Sequence, residues 1–378
     1  MSSAITTGDP ETGIQAGYRA ELAPHGVSAV PRRPRPAVDP RLAEYRMPAE
    51  WDVHERTLVT WPTRSDLWGG AFGDAEHDYA AVVRAVARFE PVTVVALPGR
   101  RSRVVDLCGA DVDVLEAPVD DSWIRDNGPL VVRRADGHRL GVDFAFNSWG
   151  RKFLPYDADA ALAARILDHL GIERVGVDMV LEGGSISVDG EGTLVTTAQC
   201  LLHSNRNPDL SQADVETVLE EALGVRRVLM LPFGHLDDRH TDGHVDGVCT
   251  FTAPGRVLAQ TCADPRNVNH EAMARNLRYL RDVPDAAGRH LAVEGLDLFS
   301  AITVEGVDDF VSYANFYVVN GGVVVPLSGN RGDDERALDV VGGCLPGREV
   351  VGVPGAVIAF GGGGPHCITM QVPAAVAG

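Results

Sequence analysis

Five predicted helices recur along this chain with short β-rich runs between them, and this alternation restricts the possible folds more than any other feature. Apolar periodicity indicates helices at approximately residues 74–89, 157–170, 211–223, 268–282 and 333–344. Their midpoints are separated by roughly 55–80 residues, a spacing that favours five related strand–helix units over two unrelated domains. The order of the elements also leaves open a doubly wound sheet. In both cases the fold class is α/β.

The clearest of these helices begins at Ser211. Asp214 follows at the position of a capping-box acid, and Gly224 provides the end signal. Between them, apolar residues recur at helical spacing: Val215, Val218, Leu219, Ala222 and Leu223. The sequence therefore predicts an amphipathic helix with one face in the core.

The β-rich runs are short and rich in β-branched residues, as buried strands are. They lie at residues 92–96, 130–132, 194–197, 225–231, 257–259 and 318–325. A last strand is predicted at residues 368–372. Polar residues that stand next to such runs are expected at the ends of the strands.

The length of the chain points to one large domain of repeated units or to two domains. It has 378 residues, more than one hydrophobic core usually serves, and 45% of them are hydrophobic. Residues 1–46 are rich in Pro, Gly, Ser and Arg and lack periodicity, so we expect a mobile tail that packs little. We expect a single domain over residues 47–378.

The net charge restricts the class of partner. The chain has 53 acidic and 34 basic residues and a formal net charge of −19. This balance disfavours nucleic acids and anionic membrane surfaces and favours small cationic ligands. Solubility alone also explains such a charge.

The cysteines and the N-terminal residues indicate a cytoplasmic protein. The six cysteines have no Cys-x-x-Cys spacing and stand mostly in apolar segments, as reduced thiols do. No apolar run has the length of a signal-peptide core or of a membrane span. We therefore expect a soluble, intracellular protein.

Near the C-terminus, residues 361–364 are all glycine and precede Pro365, His366 and Cys367. Glycines leave the backbone bare, so a ligand could approach the sulfur of Cys367 closely. This arrangement is typical of a cysteine nucleophile at the start of a strand. A glycine-rich turn followed by an ordinary buried cysteine is the alternative.

Two further segments combine acids with turn residues. Residues 120–129 contain Trp123, Arg125 and Asp126 before a Gly-Pro turn, and Glu182 follows an apolar run and precedes two glycines. Such side chains at strand ends line sites in many proteins. A solvated turn with a surface pair of Arg125 and Asp126 is the alternative, and Trp123 fits either a pocket wall or the core.

The densest titratable cluster lies at residues 235–247. It contains five possible metal ligands: His235, Asp237, His240, His244 and Asp246. Residues 241–243 are typical of a turn rather than of a helix face with two histidines, so we predict no metal site. The other interpretation is a histidine acid or base beside a carboxylate, the partner that a cysteine nucleophile needs.

Together these residues favour a substrate with a guanidinium group. That group is planar, permanently charged and rich in N–H donors, so carboxylates bind it best. A cation between several buried acids offsets their repulsion and also favours the thiolate of a neighbouring cysteine. The residues concerned are Cys367, His244, Asp126, Glu182 and Asp246.

Six motifs in order resemble those of the agmatine deiminase family, in the guanidino-group-modifying (pentein) superfamily. The resemblance covers about residues 47–373. The motifs are Met-Pro-Ala-Glu-Trp at 47–51, Trp-Pro at 61–62, Trp-Ile-Arg-Asp-Asn-Gly-Pro at 123–129, Leu-Glu-Gly-Gly-Ser at 181–185, Thr-Asp-Gly-His-Val-Asp at 241–246 and Gly-Gly-Gly with His-Cys-Ile-Thr at 361–369. The combination is far more specific than any one motif.

The resemblance implies a five-bladed α/β propeller of pseudo-fivefold symmetry, the pentein fold, with the site at its centre. It implies that Cys367 is the nucleophile and His244 the general acid and base, with Asp126, Glu182 and Asp246 binding the guanidinium. The reaction implied is hydrolysis of agmatine to N-carbamoylputrescine and ammonia, in polyamine metabolism, with no cofactor. A homodimer is expected from the family.

Two positions depart from the family pattern. Gly364-Pro365 stands where the family commonly has Asn-Ile, and Gly69 follows Trp68 where an Arg often stands. The alternatives are therefore a deiminase of another small guanidino compound or of peptidyl-arginine, and an amidinotransferase. Two other classes of protein also stay open: a non-catalytic protein that binds guanidines, and a metallohydrolase.

Overall fold

A computed structural model describes residues 33–297 and 299–375. The predicted mobile tail lies outside the described residues as far as residue 32. Within residues 33–46, a short 3₁₀ helix, Pro40–Glu44, carries Leu42, which is fully buried, and Tyr45 follows it into the core. The packed chain thus begins before Met47, earlier than predicted, because these two large apolar side chains interrupt the Pro- and Arg-rich segment.

Eighteen strands form six separate sheets in the described part of the chain. In chain order they are β1 His54–Thr60, β2 Val92–Ala96, β3 Asp113–Glu116, β4 Leu130–Arg133, β5 Arg139–Ala145, β6 Arg174–Val180, β7 Ile186–Val188, β8 Thr193–Thr197, β9 Arg227–Leu231, β10 Cys249–Ala253, β11 Arg256–Gln260, β12 Ala292–Leu296, β13 Phe299–Val304, β14 Val307–Ser312, β15 Tyr317–Val319, β16 Gly322–Leu327, β17 Glu349–Pro354 and β18 Thr369–Pro373. The helices longer than five residues are α1 Phe72–Val86, α2 Arg101–Cys108, α3 Leu162–Leu170, α4 Gln212–Leu223, α5 His270–Asp282 and α6 Arg331–Cys344.

Five of the sheets share one design. A first strand pairs antiparallel with a second, and a helix then leads to a third strand that lies parallel to the second. The triplets are β18-β1-β2 (extended by β3), β4-β5-β6, β7-β8-β9, β10-β11-β12 and β15-β16-β17. No described sheet has more than four strands, which excludes the doubly wound alternative and agrees with five strand–helix units.

The five predicted helices are the crossover helices of these units: α1, α3, α4, α5 and α6. Helix α4 matches its prediction closely, since Ser211 and Asp214 form a capping box and Gly224 ends the helix in the left-handed conformation. All five apolar residues predicted for its inner face are buried. The helix predicted at 157–170 is instead two helices, a single helical turn at Asp157–Ala160 followed by α3.

Two predicted elements differ from the structure. The strand predicted at 318–325 is a hairpin, β15-β16, because Gly321 has a φ of 77° and turns the chain between two apolar runs. Helix α2, between β2 and β3, was not predicted, because its first turn consists of basic and polar residues with little apolar periodicity. The hairpin β13-β14 is a two-stranded sheet outside the five-unit pattern.

The last strand completes the first unit. Strand β18 pairs antiparallel with β1, with Met370 opposite Leu58. Cys367 therefore lies beside elements that are far away in the sequence. Within the described ranges, no helix combines the length and the apolar character needed to cross a membrane.

Candidate active site

Each of the five units contributes the segment just before its first strand to a common centre. These segments contain Asp126 before β4, Glu182 before β7, His244 and Asp246 before β10, Asn315 before β15, and His366 and Cys367 before β18. All of these side chains are buried. The repeated unit thus brings seven polar residues from distant parts of the chain together.

Cys367 lies between an amide and a carboxylate. Its Sγ is 3.2 Å from Nδ2 of Asn315 and 3.4 Å from Oδ2 of Asp246. Burial, together with the charges of Asp246 and Asp126, raises the pKa of this thiol well above its usual value. The ligand-free site therefore holds a neutral thiol, and a cation beside it favours the thiolate.

The glycine run exists because side chains of the site occupy the space next to it. A Cβ at Gly361 would lie 2.1 Å from the Trp68 ring, and one at Gly363 would lie 2.6 Å from the Trp123 ring and 3.0 Å from Sγ of Cys367. Gly362 has a φ of 105°, which other residues rarely adopt. The glycines therefore leave room for Trp68 and Trp123 beside this segment. This is a second role for the glycines, besides the predicted access for a ligand.

Asp126 is held by two uncharged donors. The indole N–H of Trp149 donates to Oδ2 over 2.9 Å, and the backbone N–H of Gly184 donates to Oδ1 over 3.0 Å. Burial raises the pKa of Asp126 to about 6, although His244 favours its charged form. This carboxylate is therefore ionised only above mildly acidic pH.

Trp149 stands in a turn of unusual backbone geometry. Ser148, Trp149, Gly150 and Arg151 have successive φ values of 56°, 51°, 91° and 64°. Each non-glycine residue in this region costs about 1–2 kcal/mol, which Asn147 partly offsets because its side chain accepts a hydrogen bond from the N–H of Gly150. The strained turn directs the Trp149 indole at Asp126.

Asp246 instead bonds to His366, which also bonds to Glu50, and these three residues are called the relay below. Its Oδ2 is 3.0 Å from Nδ1 of His366, and Nε2 of His366 is 2.8 Å from Oε2 of Glu50. Burial opposes the charge of Asp246, but the hydrogen bond and the charge of His366 outweigh it and lower the pKa of Asp246. Burial and Arg125 also oppose the charge of His366, yet the two carboxylates raise its pKa above the usual value. The two carboxylates thus favour the protonated form of His366.

His244 lies between Asp126 and Glu182. Its Nδ1 is 3.7 Å from Oδ1 of Asp126, and its Nε2 is 3.8 Å from Oε2 of Glu182. Burial opposes its charge, but Asp126, Cys200 and Glu182 raise the pKa of His244 well above its usual value. The imidazole is therefore protonated in the free site and can give a proton to a leaving group.

Glu182 lies on the Nε2 side of His244 and is paired with an arginine. Nε of Arg206 is 2.7 Å from Oε1 of Glu182, and both side chains are fully buried. Arg206 also contacts Asp242, at 2.8 Å. A carboxylate already paired in this way orients His244 more readily than it binds a second guanidinium.

Gly184 marks the point where the groups converge. A Cβ at this position would lie 2.7 Å from Oδ1 of Asp126, 2.7 Å from Nδ1 of His244 and 3.0 Å from Oδ2 of Asp246. The structure thus brings together Cys367, His244, Asp126 and Asp246 as predicted. Trp123 is buried and lines a small cavity that also reaches Cys367.

The sequence assigned no role to Asn315, Trp149, Glu50 or Arg206, and it named His366 only as part of a motif. Asn315 occupies the segment before β15, which corresponds to the segments of the other four units, so an alignment of the units would have found it. The other three act through long-range contacts that no local pattern signals. Arg125 is also buried, and its Nε donates to the carbonyl oxygen of His366. The alternative of a solvent-exposed pair of Arg125 and Asp126 is therefore wrong.

A cavity of about 450 Å³ leads to the thiol. Cys367, Asn315, His244 and Asp246 lie on its wall. Four further acids also line it: Asp237, Asp238, Asp308 and Asp309. The site is therefore accessible through a channel rich in carboxylates.

One group of three residues in the described part of the chain has metal-ligand atoms close together. Glu182, Cys200 and His244 have such atoms within 4.8 Å of one another. Arg206 already neutralises Glu182, which disfavours a metal cation there. The five residues weighed as metal ligands in the sequence do not form such a group within the described ranges.

Comparisons with known proteins agree over nearly the whole chain. A model of the family described as Porphyromonas-type peptidyl-arginine deiminase matches residues 46–373. An agmatine deiminase of Pseudomonas aeruginosa (strain LESB58) is 41% identical over 369 residues, with 90% of this chain and 98% of that protein covered. One of Ectopseudomonas mendocina (strain ymp) is 40% identical over 362 residues, with 89% and 97% covered.

Solved structures give the same result. The agmatine deiminase of Enterococcus faecalis superposes with a TM-score of 0.86 and 33% identity, over 92% of this chain and 100% of that one. A Cys-to-Ser variant of the C. jejuni agmatine deiminase with bound substrate superposes with a TM-score of 0.81 and 25% identity, over 88% and 97%. The mixed α/β fold is thus shared with both.

Proposed function

The chain belongs to the family of Porphyromonas-type peptidyl-arginine deiminases, and we propose that within this family it is an agmatine deiminase. It hydrolyses agmatine, a small cationic guanidino compound, to N-carbamoylputrescine and ammonia. The named relatives at 40–41% identity support this substrate. The observation that carries the proposal is a buried thiol beside two carboxylates, with an imidazolium in reach.

The guanidinium lies between Asp126 and Asp246 in this proposal, with its carbon over Sγ of Cys367. Two carboxylates that face one point accept the N–H groups of a planar cation in pairs. The same cation offsets the two acids that raise the pKa of the thiol, so the thiol loses its proton to water once the substrate is bound. Trp123 walls the pocket.

Catalysis proceeds through two covalent steps. The thiolate attacks the guanidinium carbon, and His244 gives a proton to the departing nitrogen, so that ammonia leaves and a thiouronium remains on Cys367. Neutral His244 then takes a proton from water, whose oxygen attacks the same carbon. The C–S bond breaks, and the ureido product and the thiol are released.

Glu182 keeps His244 in place rather than binding the guanidinium, a change from the role expected from the resemblance. Its contact with Nε2 of His244 and its pairing with Arg206 support this role. Asn315 holds the thiol, since its amide reaches Sγ and its Oδ1 accepts from the backbone N–H of His366 over 3.1 Å.

The five sheets of one design are the blades of a five-bladed α/β propeller, the pentein fold, in one catalytic domain that runs from about residue 33 to the C-terminal strand. The shared strand order of the units supports this architecture. A homodimer and a cytoplasmic location stay predictions. Light scattering of the purified protein tests the first, and fractionation of the cells tests the second.

The direct test compares Cys367→Ala with Cys344→Ala, a half-buried cysteine remote from the site. Ammonia and ureido product are measured with agmatine, arginine and other guanidines, with and without an acceptor amine. Cys367→Ala should lose turnover while keeping its circular dichroism spectrum, and Cys344→Ala should keep turnover. Retained activity in Cys367→Ala overturns the proposal, and transfer to the amine identifies an amidinotransferase.

A further inference from the structure

The hairpin β13-β14, the sheet outside the five-unit pattern, forms part of the wall of the cavity above the thiol. Two contacts attach it to the site. The hydroxyl of Ser312 donates to the carbonyl oxygen of Gly247 over 2.9 Å, next to Asp246. The ring of Phe310 packs edge-on against His235, with centroids 5.2 Å apart. The hairpin is thus positioned to contact whatever extends from a bound guanidinium.

Asp309 of this hairpin and Asp237 both line this cavity, and Asp237 is close enough for its charge to raise the pKa of Asp309. Asp309 is half-buried, and its Oδ1 accepts the backbone N–H of Phe310 over 2.8 Å. Asp237 accepts from Nδ2 of Asn269 over 3.0 Å. Among residues 33–297 and 299–375, neither carboxylate forms an ion pair with a lysine or arginine, and the nearby charge that favours Asp309 is that of His240.

The charged form of half-buried Asp309 is disfavoured unless a cation binds beside it, whereas Asp237 is exposed to solvent. Burial raises the pKa of Asp309, and the charges of Asp237 and Asp238 add to the shift. The cavity that these acids line also has Cys367 on its wall. A ligand with a guanidinium at the thiol and an ammonium at its other end would bring a positive charge to Asp309 and Asp237.

We propose that Asp309, with Asp237, binds the terminal ammonium of the substrate, so that the hairpin β13-β14 selects guanidines with a second positive charge. This inference rests on the proposed function, because it assigns the tail end of that same site. Arginine is disfavoured here, since its α-carboxylate adds a negative charge beside these acids. An uncharged tail gains nothing from them.

The experiment uses agmatine and n-butylguanidine, which differ in the terminal ammonium. Both are assayed for turnover, and their affinities for the Cys367→Ala protein are measured by calorimetry. The wild type should prefer agmatine by about tenfold or more in kcat/KM, as a charge-assisted hydrogen bond allows. Asp309→Asn should remove most of that preference by weakening agmatine alone.

Glu305→Gln is the matched control. It removes the same charge from the same hairpin, but Glu305 is exposed and does not line the cavity. It should leave the preference unchanged. If Asp309→Asn does not fold, Asp237→Asn tests the same site, and guanidines with tails of two to six carbons, assayed on the wild type, test for an optimum length.

The outcomes separate the two proposals. A wild type that treats agmatine and n-butylguanidine alike overturns the ammonium site and leaves deimination intact. An Asp309→Asn protein that weakens both compounds equally also overturns it. If no compound is turned over, the proposed function fails, and the two affinities for Cys367→Ala still decide whether the ammonium is recognised.

Discussion

Asp126 and Asp246 belong to different units and both raise the pKa of the Cys367 thiol, yet their own pKa values are shifted in opposite directions. Asp126 has an indole N–H and a backbone N–H as donors, and burial raises its pKa to about 6. Asp246 has the His366 imidazolium, itself paired with Glu50, and its pKa is lowered. Identical side chains thus differ because Asp126 accepts hydrogen bonds from neutral donors, with the charged His244 3.7 Å away, whereas Asp246 bonds directly to His366.

The difference teaches how a site can bind a cation without holding one permanently. Asp246 is ionised at all ordinary pH values and keeps its position through the relay. The pKa of Asp126, about 6, lies near neutral pH, so a nearby cation such as the guanidinium or His244 strongly affects whether this carboxylate is ionised. Pairs of acids with diverging pKa values mark acid–base function, and the following predictions test whether this pair works in that way.

The largest effect is expected when either acid is neutralised. Asp126→Asn and Asp246→Asn should each lower kcat/KM for agmatine by about a thousandfold or more, because each removes a charge-assisted contact to the guanidinium. Turnover is measured by ammonia release at pH 7.5. A variant that retains a tenth of the activity contradicts the two-carboxylate arrangement.

The same two variants should differ in their effect on stability. The pKa of Asp126 is higher in the folded protein, about 6 against 3.8, so its ionised form opposes folding at neutral pH. Asp126→Asn also removes a carboxylate that favours protonated His244, so we expect it to change stability little. The pKa of Asp246 is lowered, so its ionised form favours folding, and Asp246→Asn leaves His366 unpaired and should lose stability. Urea unfolding at pH 7.5 measures both changes; equal losses refute the contrast.

A hundredfold loss of kcat/KM, approximately, is expected for His366→Gln, because Glu50 and Asp246 then lack the cation between them. The pKa of Asp246 should rise, which moves the acid limb of the pH profile upward. His54→Gln is the control, since His54 is also a buried histidine paired with a glutamate, Glu90, away from the thiol. Similar profiles for the two variants argue against the relay.

The pH dependence of agmatine affinity in Cys367→Ala, which lacks the titrating thiol, should show an acid limb set by Asp126. Below about pH 6 this carboxylate binds a proton and no longer attracts the guanidinium, so the affinity should fall by up to about tenfold per pH unit. The fall occurs as pH decreases because the unprotonated form binds the cation. A profile that stays flat to pH 5 shows that Asp126 is not the titrating group.

The smallest effect is expected for Trp149→Phe, which removes one neutral donor from Asp126. We expect about a tenfold lower kcat/KM and a small upward shift of the acid limb, since the indole N–H favours the charged carboxylate. Trp68→Phe is the matched control, because the N–H of this buried indole has no hydrogen-bond partner in the described residues. An equal shift of the limb in Trp68→Phe assigns the effect to packing.

Local patterns in the sequence were sufficient for the main elements. The capping box at Ser211, the apolar periodicity of α4 and the β-branched run of β2 each report a short-range preference, and the structure has these elements at those positions. Elements whose signal is weak or ambiguous were less accurate. Helix α2 has little periodicity, and the turn at Gly321 interrupts an otherwise continuous apolar run.

By itself, the sequence determined five strand–helix units and the residue types of the site, because spacing, turn residues and motifs such as those around Asp126, His244 and Cys367 are local properties of the chain. Only the tertiary structure decided which residues share a hydrogen bond or a charge. Trp149 on Asp126, Glu50 on His366 and Arg206 on Glu182 are contacts between distant segments. Burial and such partners determine a pKa, and both exist only once the units have packed together.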